Sequence, residues 1–269
     1  MKQNIADLIE RFPVLQKPAY LTYIGLDVSK NIVLRNLVHH AGYLPKWVSD
    51  RGQDRWVINE VFNGKRGGFF VELGAADGFS DSNTFALEKH FGWSGLLIEP
   101  NPVNHVKIKE RHRRTATAVP YAVDPEGGKL EFMVDGQLSS LLVDEADNMT
   151  PRRAAKVARY REQGKVVTVE ALPLEAIFDK YGAPADIDYF SLDVEGSETR
   201  ILRNFPFDRY RFLSLTIERP TPELNEILFR NGYHFVRNSL YDTFYVHESN
   251  PRFAEIPKEP FKQLPAKKF

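Results

Sequence analysis

Apolar residues recur at helical intervals over the first part of the chain and give way to dense apolar blocks beyond residue 65. Ile5, Leu8, Ile9 and Phe12 share a helical face, Pro13 and Pro18 interrupt, and Ile32, Leu34, Leu37 and Val38 suggest a second helix. Trp47, Trp56, Val57, Val61 and Phe62 read as a face packed against something. Residues 1–65 are therefore expected to form a helical extension serving as a cap, a lid or a dimer element, hinged at Gly64-Lys65-Arg66-Gly67-Gly68. The pattern then changes. Phe69-Phe70-Val71-Glu72-Leu73 is a near-continuous apolar run, as in a parallel strand covered on both faces. It breaks into Gly74-Ala75-Ala76-Asp77-Gly78, and Asp81-Ser82-Asn83-Thr84 offers N-caps for a helix bearing Phe85, Leu87 and Phe91, stopped by Gly92.

The alternation repeats along the chain. Gly95–Glu99 reads as a strand, Pro100-Asn101-Pro102 as a turn, and Val103–Arg114 as a basic helix. Val119–Val123 is a third strand, turned at Asp124–Gly128. Lys129–Val134 alternates like a hairpin strand, with Val166–Val169 returning beside it. Between them runs a long excursion, Gln137–Gly164, with Ser139, Ser140 and a helix carrying Arg152, Arg153, Lys156, Arg159 and Arg161. Leu174, Ile177, Phe178 and Tyr181 form an amphipathic helix closed by Gly182. The strand Ile187–Leu192 delivers Asp193-Val194-Glu195-Gly196-Ser197-Glu198 at its end, before a helix with Ile201, Leu202 and Phe205. Phe212–Ile217 ends in Glu218-Arg219, Thr221-Pro222-Glu223 starts a helix that ends at Gly232, and Tyr233–Arg237 pairs with Thr243–His247 around Asn238-Ser239. A tail, 249–269, carries Pro251, Pro257, Pro260 and Pro265 with several lysines and is expected to be extended. Strands alternating with helices and closing on a hairpin predict an α/β fold. It is a seven-stranded, mostly parallel Rossmann-like sheet with an antiparallel C-terminal hairpin over 66–248, the architecture of class I methyltransferases.

Composition narrows the partners. The 36 basic and 36 acidic residues cancel, so no global field draws the chain to nucleic acid or to an anionic membrane. Cysteine is absent, which excludes disulfides, thiolate metal sites and cysteine nucleophiles. No compact apolar leader and no long apolar run is present, so a cytoplasmic location is expected. The seven histidines show no ligand spacing, and no hydrolase triad or Walker loop occurs.

The glycine turn after the first strand bears on the ligand. A dinucleotide fingerprint reads G-x-G-x-x-G and seats a diphosphate on a helix N-terminus. Here Glu72-x-Gly74-x-x-x-Gly78 carries the further acid Asp77, which would repel a diphosphate and suits an ammonium or sulfonium group. That points to S-adenosylmethionine. The second strand ends in Glu99, where a carboxylate can accept both ribose hydroxyls. The candidate cofactor residues are Glu72, Gly74, Ala75, Asp77, Gly78, Ser82, Asn83, Glu99, Pro100 and Asp124, the last at the edge where adenine would lie. A nicotinamide-dependent oxidoreductase shares the fold and is one alternative. A catalytically silent binding protein is another.

Three stretches together resemble the FkbM-type methyltransferases: Phe69 to Gly78, Gly92-Trp93-Ser94-Gly95 leading into Leu97-Ile98-Glu99-Pro100-Asn101-Pro102, and Asp188 to Glu198. The resemblance covers residues 60 to 248. It implies a Rossmann-like domain that uses S-adenosylmethionine to methylate hydroxyl oxygens of sugars or secondary metabolites, with Glu72, Gly74 and Glu99 at cofactor positions. The acceptor varies across that family, and the first 60 residues match no pattern of it.

Methylating an alcohol requires something to take its proton. Asp193, Glu195 and Glu218, all at or just past strand C-termini, are the candidate catalytic residues. Asp193 and Glu218 end neighbouring strands and can also be read as ligands of Mg²⁺ or Ca²⁺, a thin set with no evident third member. For Glu195 and Glu198 the plainer role is to favour the N-terminus of the following helix. Arg152, Arg153, Lys156 and Arg159 can share one side of their helix, where they would either clamp an anionic acceptor such as a sugar bearing phosphate or carboxylate, or form a solvated face. The expected partner is thus a small-molecule acceptor, an anionic sugar or glycosylated metabolite, with a homodimer as a further option.

Overall fold

The computed structural model describes residues 45–112, 114–143 and 150–265. The helices expected around Ile5–Phe12 and Ile32–Val38 lie outside the described residues, as does any cap, lid or dimer role for them. The chain divides into two units, residues 1–47 and 48–269, and every element named below belongs to the second.

The unit begins with a short helix, α1 (Gln53–Arg55), continued by a wider turn, Trp56–Val61, in which Phe62 N–H donates to Val57 O at 3.0 Å. Then come β1 (Phe69–Leu73), α2 (Phe85–Phe91), β2 (Ser94–Ile98) and α3 (Pro102–Val106, continued by Lys107–Arg111). Next are β3 (Thr117–Val119), β4 (Ala122–Val123), β5 (Gly128–Met133), β6 (Ser140–Leu141), α4 (Pro151–Glu162) and β7 (Val166–Leu172). The last are α5 (Leu174–Tyr181), β8 (Asp186–Leu192), α6 (Glu198–Leu202), β9 (Arg211–Glu218), α7 (Pro222–Arg230), β10 (Tyr233–Ser239) and β11 (Asp242–His247).

The seven-stranded sheet has the order β10-β11-β9-β8-β1-β2-β3. From β9 to β3 the strands are parallel, while β11 runs antiparallel to β9 and β10 antiparallel to β11. Such ladders need apolar residues on both faces, and β1 and β8 supply them: Phe70, Val71, Ile187, Tyr189 and Phe190 are fully buried. The aromatic face of β8 and β9 packs ring on ring, with Phe190 and Phe212 stacked at 4.3 Å between centroids. Helix ends follow their local chemistry. Gly92 and Gly182 close α2 and α5 with left-handed φ of 68° and 67°, and the Thr221 hydroxyl caps α7 by accepting from Leu224 N–H. Trp56 meets Phe244 edge to face at 4.9 Å, which accounts for part of the apolar face noted before β1.

Three expectations change. Val119–Val123 is not one strand: Pro120 lacks the N–H a continued ladder needs, and the chain leaves β3 to pair as β4 with β7. The expected hairpin of β5 and β7 is thereby extended into a second sheet of order β4-β7-β5-β6. The β10–β11 turn falls at Leu240-Tyr241, with Leu240 at φ +57°, because Asn238 stays in register opposite Thr243 and accepts its hydroxyl proton at 2.8 Å. The proline-rich tail holds no strand or α-helix through residue 265, yet it is docked. Ile256 is buried, Asn225 Nδ2 donates to Gln263 Oε1 at 2.9 Å, and Phe261 meets Phe229 and Phe235 edge to face. No helix among the described residues is long and apolar enough to cross a membrane.

Candidate functional site

The strand order reverses between β1 and β8, since β2 continues on one side and β9 on the other. At such a switch point the chains leave the sheet in opposite directions and open a crevice at its carboxyl edge. Here Leu73 pairs with Leu192, Asp193 N–H donates to Leu73 O at 3.1 Å, and Gly74 N–H donates to Ile98 O at 3.1 Å. Gly74 has φ +87°, and a Cβ there would stand 1.8 Å from the Asp193 carbonyl oxygen. Only glycine allows the two turns to close on one another. The crevice is walled by Gly74, Ala76, Glu99, Pro100, Val123, Phe132, Ser140 and Asp193, so the second sheet supplies its outer wall.

Glu99 follows β2 and is 5 % exposed. Its Oε1 accepts from Asn101 N–H at 2.8 Å, and burial pushes its carboxyl up to about 7 against the pull of these local donors. A buried carboxyl so raised is stabilised by further donors, and the two hydroxyls of a ribose would provide them. Ala75, Ser82 and Asn83 line an adjoining cleft. Asn83 Nδ2 donates to Ser191 Oγ at 2.8 Å, while its Oδ1 is buried and has no partner among the described residues. The unpartnered Asn83 Oδ1 and the raised Glu99 carboxyl fit a ligand rich in donors, as adenosine with a methionine amino group is.

Other expected cofactor residues are engaged elsewhere. Glu72 accepts from Ser82 Oγ at 2.9 Å, Asn83 N–H at 2.7 Å and Thr84 Oγ1 at 2.5 Å. It ties down the loop before α2. Asp77 turns back on its own loop, accepting from Phe79 N–H, Ser80 N–H and Ser80 Oγ. Partial burial opposes its ionisation, but these donors and then His112 outweigh it and hold the carboxyl below its ordinary range. The acid that sequence spacing aimed at a cationic ligand is therefore a turn-former. Gly78 is a packing position: a Cβ would lie 2.9 Å from Ile108, and its carbonyl accepts from Arg114 Nη1 at 2.5 Å. Asp124 is 1 % exposed and bonded to Arg200 Nε at 2.7 Å and Nη2 at 3.2 Å, so its carboxylate is matched inside the fold and is not offered to an adenine.

The expected catalytic acids do come together. Asp193 follows β8, Glu218 ends β9, and β11 starts with Asp242 directly opposite Glu218. Asp193, Glu195, Glu218 and Asp242 line one cleft of about 210 Å³ with Asp50, Arg51 and Asn83. Asp193 opens onto this cleft and also onto the crevice of Glu99. Its carboxyl is raised well above the ordinary range by desolvation and by Glu218, Glu195, Glu198 and Asp242. Because the side chain is water-exposed within the cleft, the crowding of like charge is the cause that carries weight. Asp242 is pushed to about 7 by burial and then by Glu218, with Arg51 pulling it down. Glu195 adopts φ +61°, a left-handed conformation costly for a residue with a side chain. Glu198 is buried and caps its own turn, Oε1 accepting from Val194 N–H at 3.0 Å and Oε2 from Gly196 N–H at 2.9 Å. One oxygen each of Asp193, Glu198 and Glu218 lie within 4.8 Å of one another.

Sequence reading missed Asp242 and Arg114. Asp242 sits beside a turn whose position was misread, so its place at the carboxyl edge had no visible signal. Arg114 was counted among the charges of a basic helix. Instead it is buried, pairs with Glu88 at 2.6 Å, and holds Gly78 O and Thr84 Oγ1 beneath the cofactor loop.

A crystal structure of a methyltransferase FkbM from Methylobacillus flagellatus KT superposes with TM-score 0.43 at 16% identity, covering 80% of this chain and 52% of that one. The chain thus spans about half the length of that protein. A precorrin-6y C5,15-methyltransferase from Geobacter metallireducens gives TM-score 0.38 at 9% identity over 72% of this chain and 85% of that one. A methyltransferase from Pyrococcus furiosus gives TM-score 0.30 at 16% identity, over 72% and 80%. Comparison with curated proteins finds no match. A family model described as the methyltransferase FkbM domain matches residues 72–240, from the acid that anchors the glycine loop to the turn before β11, and by that match over more than half its length the chain belongs to the FkbM-domain methyltransferases, which use S-adenosylmethionine.

Proposed function

We propose that the chain transfers the methyl group of S-adenosylmethionine to a hydroxyl oxygen of a small molecule, a sugar or glycosylated metabolite, with Asp193 taking the hydroxyl proton. The observation that carries this reading is the place of Asp193, on the boundary between the Glu99 crevice and the acid-lined cleft. When bound, S-adenosylmethionine supplies a methyl group already activated on a positively charged sulfur. Glu99 would hold its ribose hydroxyls, and Gly74, Ala76 and Asn83 would border its chain.

An amine can attack from its neutral form, but an alcohol needs a proton acceptor at hand. A carboxylate raised by like charges is a stronger base than an ordinary one, and Asp193 is so placed. Glu218 and Asp242 are then left to orient the acceptor through further hydrogen bonds. The test is transfer of labelled methyl from S-adenosylmethionine to hydroxylated metabolites, with the product treated with alkali. Ether-linked label should survive, and Asp193→Asn should lower its formation by about 10²–10⁴-fold while S-adenosylhomocysteine still binds. Label released by alkali, label found on nitrogen, or an active Asn variant would each refute the reading.

A second reading has a specific observation behind it: the oxygens of Asp193, Glu198 and Glu218 are close enough to share a divalent cation such as Mg²⁺, which would acidify the hydroxyl. Against it, both Glu198 oxygens already accept backbone N–H groups. Chelation decides. Activity that persists through exhaustive EDTA treatment, with no gain from Mg²⁺ or Mn²⁺, leaves Asp193 as the base.

A further inference from the structure

Beside the acid cleft lies a second cavity of about 640 Å³ with the opposite character. One face of α4 provides Arg152, Arg153, Lys156 and Arg159, and the far wall includes Glu195 and Leu138, which also border the acid cleft. The two spaces therefore share a wall. Asp193 and Glu195 are two residues apart in the chain, with Cα atoms at most about 7 Å apart, so the proton-accepting position and the cationic cavity adjoin.

The four cations are not equivalent. Lys156 is paired with Asp135, which also accepts from the Tyr160 hydroxyl at 2.8 Å, so its charge is matched. Arg161, further along the helix, is paired with Glu131. Arg153 donates from Nη2 to Ser140 Oγ at 2.7 Å, but its Nε is buried and lacks a partner among the described residues. Arg152 and Arg159 are exposed on the cavity's rim and have no carboxylate partner among the described residues. Among the described residues these three guanidinium groups border the cavity with one lining carboxylate, Glu195, and Glu198 also acts on Arg153. Among the described residues the cavity lining is thus net positive, which suits a phosphate monoester with its charge of about −1.5 to −2 near neutral pH. Guanidinium forks also match phosphate oxygens in geometry, where an ammonium acts as a point charge.

We propose that the cavity beneath α4 binds a phosphate group of the acceptor, so that the substrate is a phosphorylated hydroxy compound whose free hydroxyl is delivered to Asp193. This rests on the reading of Asp193 as acceptor of a hydroxyl proton, and it adds the substrate class. Arg153 is the inner contact, set by Ser140. Arg152 and Arg159 close over the group from the rim, and Glu195 excludes a second anion.

The test titrates inorganic phosphate into the full chain saturated with S-adenosylhomocysteine, at constant ionic strength, with acetate as the monoanionic comparison. Phosphate should bind saturably and acetate about tenfold or more weakly. The double variant Arg152→Gln/Arg159→Gln, both changes at exposed positions, should weaken phosphate binding by about tenfold or more and leave S-adenosylhomocysteine affinity unchanged. Arg153→Gln should do the same if it folds. Absence of saturable phosphate binding, equal binding of acetate, or undiminished binding in the double variant would overturn the proposal. Acetate favoured over phosphate would reassign the cavity to a carboxylate. Loss of S-adenosylhomocysteine binding with phosphate binding intact would count against the methyl-transfer reading alone.

Discussion

Replacing Glu99 by glutamine removes a charge and almost nothing else, so it isolates what that charge does. In the free protein burial raises this carboxyl from its ordinary 4.5 to about 7. Ribose hydroxyls donate most strongly to the ionised form. Proton and ligand therefore compete, and S-adenosylhomocysteine affinity should fall about tenfold per pH unit below 7 and level off above it. The glutamine variant should show no such pH step. At pH 8 it should bind more weakly by about 1.5–3 kcal/mol, the worth of a hydrogen bond to a charged group, or roughly ten- to a hundredfold.

Stability should move the other way. A carboxyl whose folded pKa lies above its unfolded one holds its proton more tightly when folded. Its stabilising share is complete below pH 4.5 and is lost as pH rises to about 7. At about 1.36 kcal/mol per pH unit this amounts to roughly 3 kcal/mol over that window. Glutamine cannot ionise, so the ligand-free variant should gain on the wild type by up to that amount between pH 5 and pH 8. Calorimetric titration from pH 6 to 8.5 and urea unfolding at pH 5 and 8 read the two effects. Matching affinity profiles in the two proteins would remove Glu99 from the cofactor site, whatever the unfolding curves show.

Other perturbations separate the scaffold from the site. Gly74→Ala places a methyl against the Asp193 carbonyl at a left-handed φ, so it should abolish S-adenosylhomocysteine binding or folding; a variant that binds normally would contradict the close approach of the two turns. Arg114→Met removes the buried partner of Glu88, leaving it Lys89 Nζ at 3.4 Å and the Thr115 donors, and should cost up to about 3–5 kcal/mol in denaturant unfolding, with a change under about 1 kcal/mol showing that the pair is replaceable.

The fold was legible because its signals are local. The run Phe69–Leu73, the left-handed stops at Gly92 and Gly182 and the Thr221-Pro222 start each depend on a few neighbouring residues, and each element stands where its pattern predicts. That Glu99, Asp193 and Glu218 stand near one edge was legible for a related reason: strand ends in a parallel sheet share one edge. What sequence could not supply was the partner of each acid. Asp124 lies 76 residues from Arg200, and Glu88 lies 26 from Arg114. Spacing cannot say that the first pair is closed, or that Asp77 folds onto its own loop. Pro120 was a readable break that the apolar run through Val123 concealed.

Those long-range pairs also bear on which acids do chemistry. Where a buried carboxylate holds the structure among the described residues, the chain brings a cation or a set of N–H and O–H donors to it. Glu88 has Arg114, Asp124 has Arg200, Asp188 has Lys65 at 2.6 Å and Phe69 N–H at 3.0 Å, and Glu72 has three loop donors. At the carboxyl edge the matching is weaker. Asp193, Glu218 and Asp242 crowd one another although Glu218 has Arg219 at 3.3 Å and Asp242 has Arg51 nearby, and burial together with this crowding raises Asp193 and Asp242. A fold that matches its structural acids yet gathers three others in one cleft bears an electrostatic strain that a structural role does not require. A positively charged sulfonium in the adjoining crevice would relieve it, and a nearby hydroxyl would meet the raised carboxyl of Asp193.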